Sequence, residues 1–174
     1  RNPHFVFHTK ITRPIISIIP YLLSIPLYVL GNVLVFKKIR AKLGTGFRQG
    51  VSGGGALPPN IDAFFWAIGV SVTEGYGLTE TAPVVSVRPL GQPVFGTIGK
   101  PLSCTEVKIV DDKGNTMPVG TLGTVMIRGT SVMKGYYKRQ DLTDAVIDKD
   151  GWFDSGDLGM KTFDGELILR GRKK

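Results

Sequence analysis

Between positions 76 and 80 the chain sets a ring, a bare backbone, a hydroxyl and a carboxylate in one short run: Tyr76, Gly77, Thr79 and Glu80, within "GYGLTETAP". A buried strand has no use for Gly77, and a solvated loop has none for Tyr76. A ligand with a flat base, a phosphate and a metal ion would use all four. The ring offers a stacking face and the glycine permits close backbone approach. The hydroxyl can donate to phosphate, and the carboxylate suits a hard cation.

Other candidates are more modest taken singly. Ser52-Gly53-Gly54-Gly55 is an ordinary tight turn on its own, or else a loop whose backbone lets a base or phosphate come near. Asp157, in "DSGD", could simply cap a turn. No Ser–His–Asp or Cys–His arrangement is evident. His4 and His8 have helical spacing but no nearby Cys, Asp or Glu, so they are not read as a zinc site.

The elements that would position these residues are of two kinds. "GFRQGVSGGGALPPNIDAFFWAIGVSV" reads as strand, glycine turn, helix, strand. Phe47, Gln49 and Val51 alternate, and Pro58 and Pro59 suit a first helical turn. Ile61, Phe64, Phe65 and Ile68 repeat at three and four residues as one apolar face ending at Gly69, and Val70 and Val72 begin the next strand. Ligands of such α/β units sit where loops leave the carboxyl ends of strands. After about Gly96 the pattern changes to period two. Val107 and Ile109 alternate before "DDKGN", Val125 and Ile127 before Gly129, and Leu167 and Leu169 after Asp164-Gly165. The fold class is therefore α/β: an α/β sheet piece over 46–98, then a small distorted β-barrel or curled sheet over 99–171.

Composition bounds the rest. The length suits one domain with a real core. Cys104 is the only cysteine, so no internal disulfide forms, and a reducing, cytoplasmic setting is expected. The net charge of +8 belongs to residues 1–50, which hold eight Lys or Arg and no acid, whereas 51–174 hold fourteen of each sign. Residues 1–45 are expected to form a basic, apolar helical segment. The run Pro14 to Phe36 is 23 residues without charge, long enough to cross a bilayer. Pro20, Pro26, Gly31 and Asn32 interrupt it, and no cleavage site follows it. A buried or domain-packing helix pair broken at the prolines is the first reading. Peripheral membrane contact through residues 14–42 is the second, and a spanning helix the third. Nucleic acid is not an expected partner, since the basic residues are not interleaved with stacking aromatics.

Read in order, "SGGGALPP", "GYGLTETAP", "GTIGKPL", "GTVMIRGTSVMKGYYK", "GWFDSGDLG" and "DGELILRGRKK" resemble the successive signatures of the adenylate-forming (AMP-binding) enzymes. The resemblance covers nearly all of residues 35–174. "LVFKKIRAKLG" favours the long-chain fatty acid–CoA ligase branch. It implies that Gly54, Gly55 and Ala56 line one side of adenine and Tyr76 stacks on the other, with Gly77 beside it. Thr79 would meet the α-phosphate, Glu80 would hold Mg²⁺, and Asp157 would accept both ribose hydroxyls. Arg172 would bind the ribose or phosphate region, and Lys174 would begin a hinge at 172–174. Gly55-Ala56 stands where Ala-Pro is usual, and Ser155 where Thr is usual. Trp152 and Phe153 are read as packing residues.

The implied reaction joins a fatty acid to coenzyme A through an acyl-adenylate made from ATP. The family's phosphate-binding loop and lysine-bearing C-terminal domain match nothing here, so the chain is expected to be an internal piece, inactive alone. The nucleotide motifs do not separate fatty-acid ligases from aryl–CoA ligases or amino-acid adenylating modules. A non-catalytic, membrane-associated scaffold is the alternative from another class.

Overall fold

The computed structural model describes residues 14–91 and 93–173, with side chains from residue 22 onward; His4, His8 and Lys174 lie outside the described residues. Two compact units part between Phe47 and Arg48. In the first, α1 (Pro14–Gly31) continues through a π-helical turn, Asn32–Phe36, into α2 (Lys37–Lys42). The expected break at the prolines does not occur, because Pro20 and Pro26 both lie inside α1. The irregularity falls instead at the π turn, where the Arg40 guanidinium donates to the Asn32 side chain and Tyr28 meets the Phe36 ring. Leu22, Leu23, Leu27 and Val33 are exposed, so the expected burial of this segment is not found within the described residues. The stretch Leu22–Lys42, 21 residues with a mean hydropathy of 1.6, is long and apolar enough to cross a membrane by length and composition.

The second unit carries two four-stranded sheets. One has the order β1 (Gly50–Ser52), β2 (Val72–Gly77), β3 (Val84–Val87), β4 (Lys100–Pro101). Its β1–β2 ladder is parallel and the others antiparallel. Parallel neighbours need a crossover, and α3 (Pro59–Ala67) supplies it. Its face departs from the periodicity, however. Ile68 just beyond its end is buried, Ile61 and Phe64 are exposed, and the residue it turns inward is Asp62.

The other sheet is an antiparallel meander, β5 (Thr105–Val110), β6 (Gly123–Gly129), β7 (Phe153–Lys161) and β8 (Leu167–Arg172), with α4 (Gln140–Val146) inserted before β7. Period-two alternation places Val107, Ile109, Val125, Ile127 and Phe153 on its buried face, as expected. No ladder joins β5 to β8 among the described residues, so barrel closure is not seen there.

Both sheets share one core: Tyr76, Val85 and Ile98 from the first side cluster with Val107, Ile127, Phe153 and Leu167 from the second. Backbone bonds tie them across the cluster, Ile98 N–H to Leu167 O at 2.9 Å and Leu167 N–H to Gly99 O at 2.8 Å. Trp152 packs outside, its ring centroid 4.3 Å from Lys108 Nζ and 4.6 Å from Arg128 Cζ.

Candidate functional site

Where the two sheets meet, residues from five separate stretches line one cavity of about 600 Å³, Gly96 and Ile98 among them, within the usual range for small-molecule sites. The glycine loop between β1 and α3 brings Gly54, Gly55 and Ala56, and the end of β2 brings Tyr76 and Gly77. The middle of β7 brings Asp157, and the end of β8 brings Arg172. Seven of the nine described candidates therefore share a single hollow. Thr79 and Glu80 stand outside its lining, on the short 3₁₀ turn Thr79–Thr81 that follows β2.

The polar contacts converge on Asp157, which is 7% exposed. Tyr76 donates its hydroxyl proton to Asp157 Oδ2 at 2.7 Å. Arg172 Nε donates to Oδ1 at 2.8 Å. Asp157 and Arg172 sit opposite each other in the β7–β8 ladder, so the register presents them to one another. Beneath them, the Ser155 hydroxyl donates to Val125 O at 2.7 Å and accepts the Asp157 N–H at 3.1 Å. That hydroxyl is common to Ser and Thr. Burial, and then the neighbouring carboxylate, push the Tyr76 phenol well above its ordinary pKa. The Asp157 carboxylate likewise raises the Arg172 guanidinium. At neutral pH the Tyr76 phenol therefore keeps its proton and Arg172 its charge.

Gly77 has a more local cause than ligand approach. A Cβ there would lie 1.6 Å from Pro83 O, at the irregularity where β2 and β3 lose register. Gly54, by contrast, has φ +78 with nothing within 4 Å of a built Cβ, which is open backbone facing the cavity.

Two residues not singled out from sequence complete the picture. Tyr136 donates its hydroxyl proton to Glu80 Oε1 at 2.9 Å, and the Met133 N–H donates to Glu80 O at 2.7 Å. The bond to Glu80 raises the Tyr136 phenol pKa. The Tyr136 N–H is itself held by the Thr143 hydroxyl of α4 at 2.9 Å. "GYYK" offers two adjacent tyrosines, and nothing local tells that Tyr136 turns toward Glu80 while Tyr137 is left 86% exposed. Glu74 also lines the cavity. Its signal was legible, since a lone acid within a buried strand requires a partner.

The family description "AMP-binding enzyme" matches residues 20–137. The chain belongs to that family. The matched stretch holds the glycine loop and the Tyr76–Glu80 run, and the side-chain contacts above attach Asp157 and Arg172 to them. Among similar proteins is the long-chain-fatty-acid–[acyl-carrier-protein] ligase AEE15, chloroplastic, of Arabidopsis thaliana. It is 44% identical over 160 residues, 86% of this chain and 22% of that protein. A long-chain-fatty-acid–CoA ligase of Salmonella typhimurium is 44% identical over 128 residues, 71% of this chain and 23% of that protein. The chain thus spans under a quarter of the length of either relative. The crystal structure of ATP-bound MatB from Rhodopseudomonas palustris superposes with a TM-score of 0.69 at 31% identity, over 73% of this chain and 26% of MatB.

Proposed function

We propose that this chain carries the adenosine-gripping part of an ATP-dependent fatty acid ligase. The observation that carries the reading is the shared cavity in which the Tyr76–Asp157–Arg172 trio faces the open glycine loop. The likeness to ATP-bound MatB supports ATP as the nucleotide, and the names of the two curated relatives support a long-chain fatty acid.

In this reading adenine lies between the Tyr76 ring and the backbone of Gly54, Gly55 and Ala56, beside Gly77. Asp157 has two bonded donors, and an ionised carboxylate accepts about four; its remaining lone pairs receive the two ribose hydroxyls. Arg172 neutralises Asp157 and stands beside the sugar and phosphate. The Thr79 hydroxyl donates to the α-phosphate.

Glu80 offers one hard carboxylate, and no group of three or more acidic, His or Cys side chains forms a metal cage among the described residues. That donor set fits Mg²⁺, which prefers one or two carboxylates together with phosphate oxygens and water. The ion would supply charge neutralisation on the triphosphate. The chain's own contribution is to position Glu80 through Tyr136 and Met133.

With ATP so held, the fatty carboxylate attacks the α-phosphorus, pyrophosphate leaves, and an acyl-adenylate results. A thiol then displaces AMP and takes the acyl group as a thioester. No protein nucleophile is needed; catalysis is positioning and charge stabilisation. We assign coenzyme A as the thiol, as in the name of the Salmonella relative. The name of AEE15 favours a second acceptor, the thiol of an acyl-carrier protein.

Calorimetry of the chain with a non-hydrolysable acyl-adenylate analogue tests the reading. Saturable binding that Asp157→Asn weakens supports it, and no binding at high micromolar ligand overturns it. Acceptor choice is read by offering coenzyme A and acyl-carrier protein to the full-length protein.

A further inference from the structure

Adjoining the cavity through Glu74 lies a buried ion cluster whose ion pairs have no part in the contacts described so far. Arg88, just after β3, is 1% exposed. Its Nη1 and Nη2 donate to the two oxygens of Asp62 on α3 at 2.6 and 2.7 Å, a forked pairing of planar groups. Nη2 also donates to Val72 O at 3.2 Å, and Nη1 lies 3.9 Å from Glu74 Oε2. Asp62 and Glu74 are themselves buried. Desolvating three ionisable groups is costly, and apolar side chains of similar volume usually serve stability as well. The cluster therefore calls for a reason beyond stability.

Glu74 supplies that reason. Opposite Glu74 in the parallel ladder is Ser52, the last paired residue of β1. From there the chain leaves the sheet as the glycine loop, in which Gly53, Gly54, Gly55 and Ala56 are all exposed. Built Cβ atoms at Gly54 and Gly55 would touch nothing within 4 Å. The loop has little packing of its own. It is caught again one residue later, where the Leu57 N–H donates to Glu74 Oε1 at 2.9 Å. A single residue brackets the loop, by its backbone at Ser52 and by its side chain at Leu57. The oxygen that makes the tether belongs to a carboxylate whose other oxygen faces Arg88.

We propose that Arg88 is a positioning residue: pinned by Asp62, it orients Glu74 so that Glu74 tethers Leu57 and holds the glycine loop against the cavity. The consequence for ATP rests on the nucleotide reading above; the tether itself does not.

Arg88→Met alone would strand two buried carboxylates and endanger folding, so the primary test is Asp62→Leu combined with Arg88→Met, which removes the forked pair and leaves Glu74 the one carboxylate without Arg88. Amide exchange is followed by NMR on the full chain without ligand. We expect a cooperative fold and unchanged protection in β6 and β7, with Leu57 exchanging about tenfold faster for loss of a charge-assisted bond. The ATP dissociation constant should rise about tenfold with it. A folded double variant whose Leu57 exchange stays within about twofold of the parent overturns the proposal. Should the double variant not fold, Arg88→Lys decides. It keeps the charge but not the fork, so faster Leu57 exchange supports the proposal and unchanged exchange overturns it. If Leu57 exchange rises as expected but the parent chain binds no ATP, the tether stands and the nucleotide reading falls.

Discussion

The Tyr76 hydroxyl donates to Asp157 Oδ2 at 2.7 Å across 81 positions of sequence. This contact joins β2 of one sheet to β7 of the other at the cavity, and it engages the Tyr76 hydroxyl apart from the ring, to which stacking is proposed. Tyr76→Ala removes ring and hydroxyl together, whereas Tyr76→Phe removes only the bond to Asp157. If the ring stacks on adenine, the Ala variant loses about 1–3 kcal/mol of ATP affinity. The Phe variant keeps most of that and loses about 1 kcal/mol. Titration calorimetry on the three proteins separates the contributions, and equal affinity of the Ala variant and the parent would remove Tyr76 from the site.

Asp157→Asn tests the proposed ribose contact. The amide presents an NH₂ where Tyr76 or Arg172 now finds an oxygen, so at least one donor loses its acceptor. ATP and AMP affinity should both fall, by about tenfold or more. Pyrophosphate, which has no sugar, should bind as before. A variant equally impaired for pyrophosphate would place the defect in the fold and not in sugar recognition.

The raised Tyr76 phenol makes a pH prediction. In an unfolded chain tyrosine ionises near pH 10, while native Tyr76 holds its proton to higher pH, chiefly through burial and then through Asp157. Below about pH 10 both states carry the proton and the stabilisation is complete. Above it the unfolded state ionises first, so stability falls by up to about 1.4 kcal/mol per pH unit until native Tyr76 ionises too. Urea unfolding at rising pH should therefore show a steeper loss for the parent than for Tyr76→Phe. Parallel curves would refute the coupling.

Much of this site was readable because its chemistry is local in sequence. Tyr76, Thr79 and Glu80 fall in one run, and the glycine cluster marks a loop without any knowledge of tertiary structure. Period two exposed β5 to β8 for the same reason. What escaped is non-local. Nothing near Asp62 says that α3 turns an acid inward while leaving Ile61 and Phe64 exposed; Arg88, 26 positions on, decides it. Tyr136 reaches Glu80 across 56 positions, and α4 sets its place. The alternation along β5 to β8 fixes faces but not whether the outer strands meet, so it does not choose between a barrel and a curled sheet. The prolines misled because a helix can lose a hydrogen bond at Pro20 and Pro26 and still continue.

Tyr136→Phe addresses Glu80. The variant keeps the ring and removes the proton donated to Oε1. An untethered carboxylate samples more rotamers before it can meet a cation, so Mg²⁺ should bind the ATP complex several-fold more weakly. Magnesium titration of the ATP complex reads this without turnover. ATP affinity in the absence of metal should not change, because Tyr136 does not line the cavity. Loss of metal-free ATP binding would mean that Tyr136 supports the fold and has no specific effect on Glu80.

Gly77→Ala separates two reasons for the same glycine. If Gly77 serves only ligand approach, the substitution leaves the empty chain stable and weakens nucleotide binding. The structure argues for an internal cause, since the added methyl would fall 1.6 Å from Pro83 O, a backbone atom that no rotamer change can move. Relief requires β2 and β3 to separate where they pair at Gly77 and Val84. The expected cost is about 3 kcal/mol or more, at the upper end of overpacking, seen as a lowered urea midpoint with no nucleotide present. Gly54→Ala is the control: its Cβ meets open space, and φ +78 alone should cost about 1 kcal/mol. Equal midpoints for the two variants would return Gly77 to a purely ligand-facing role.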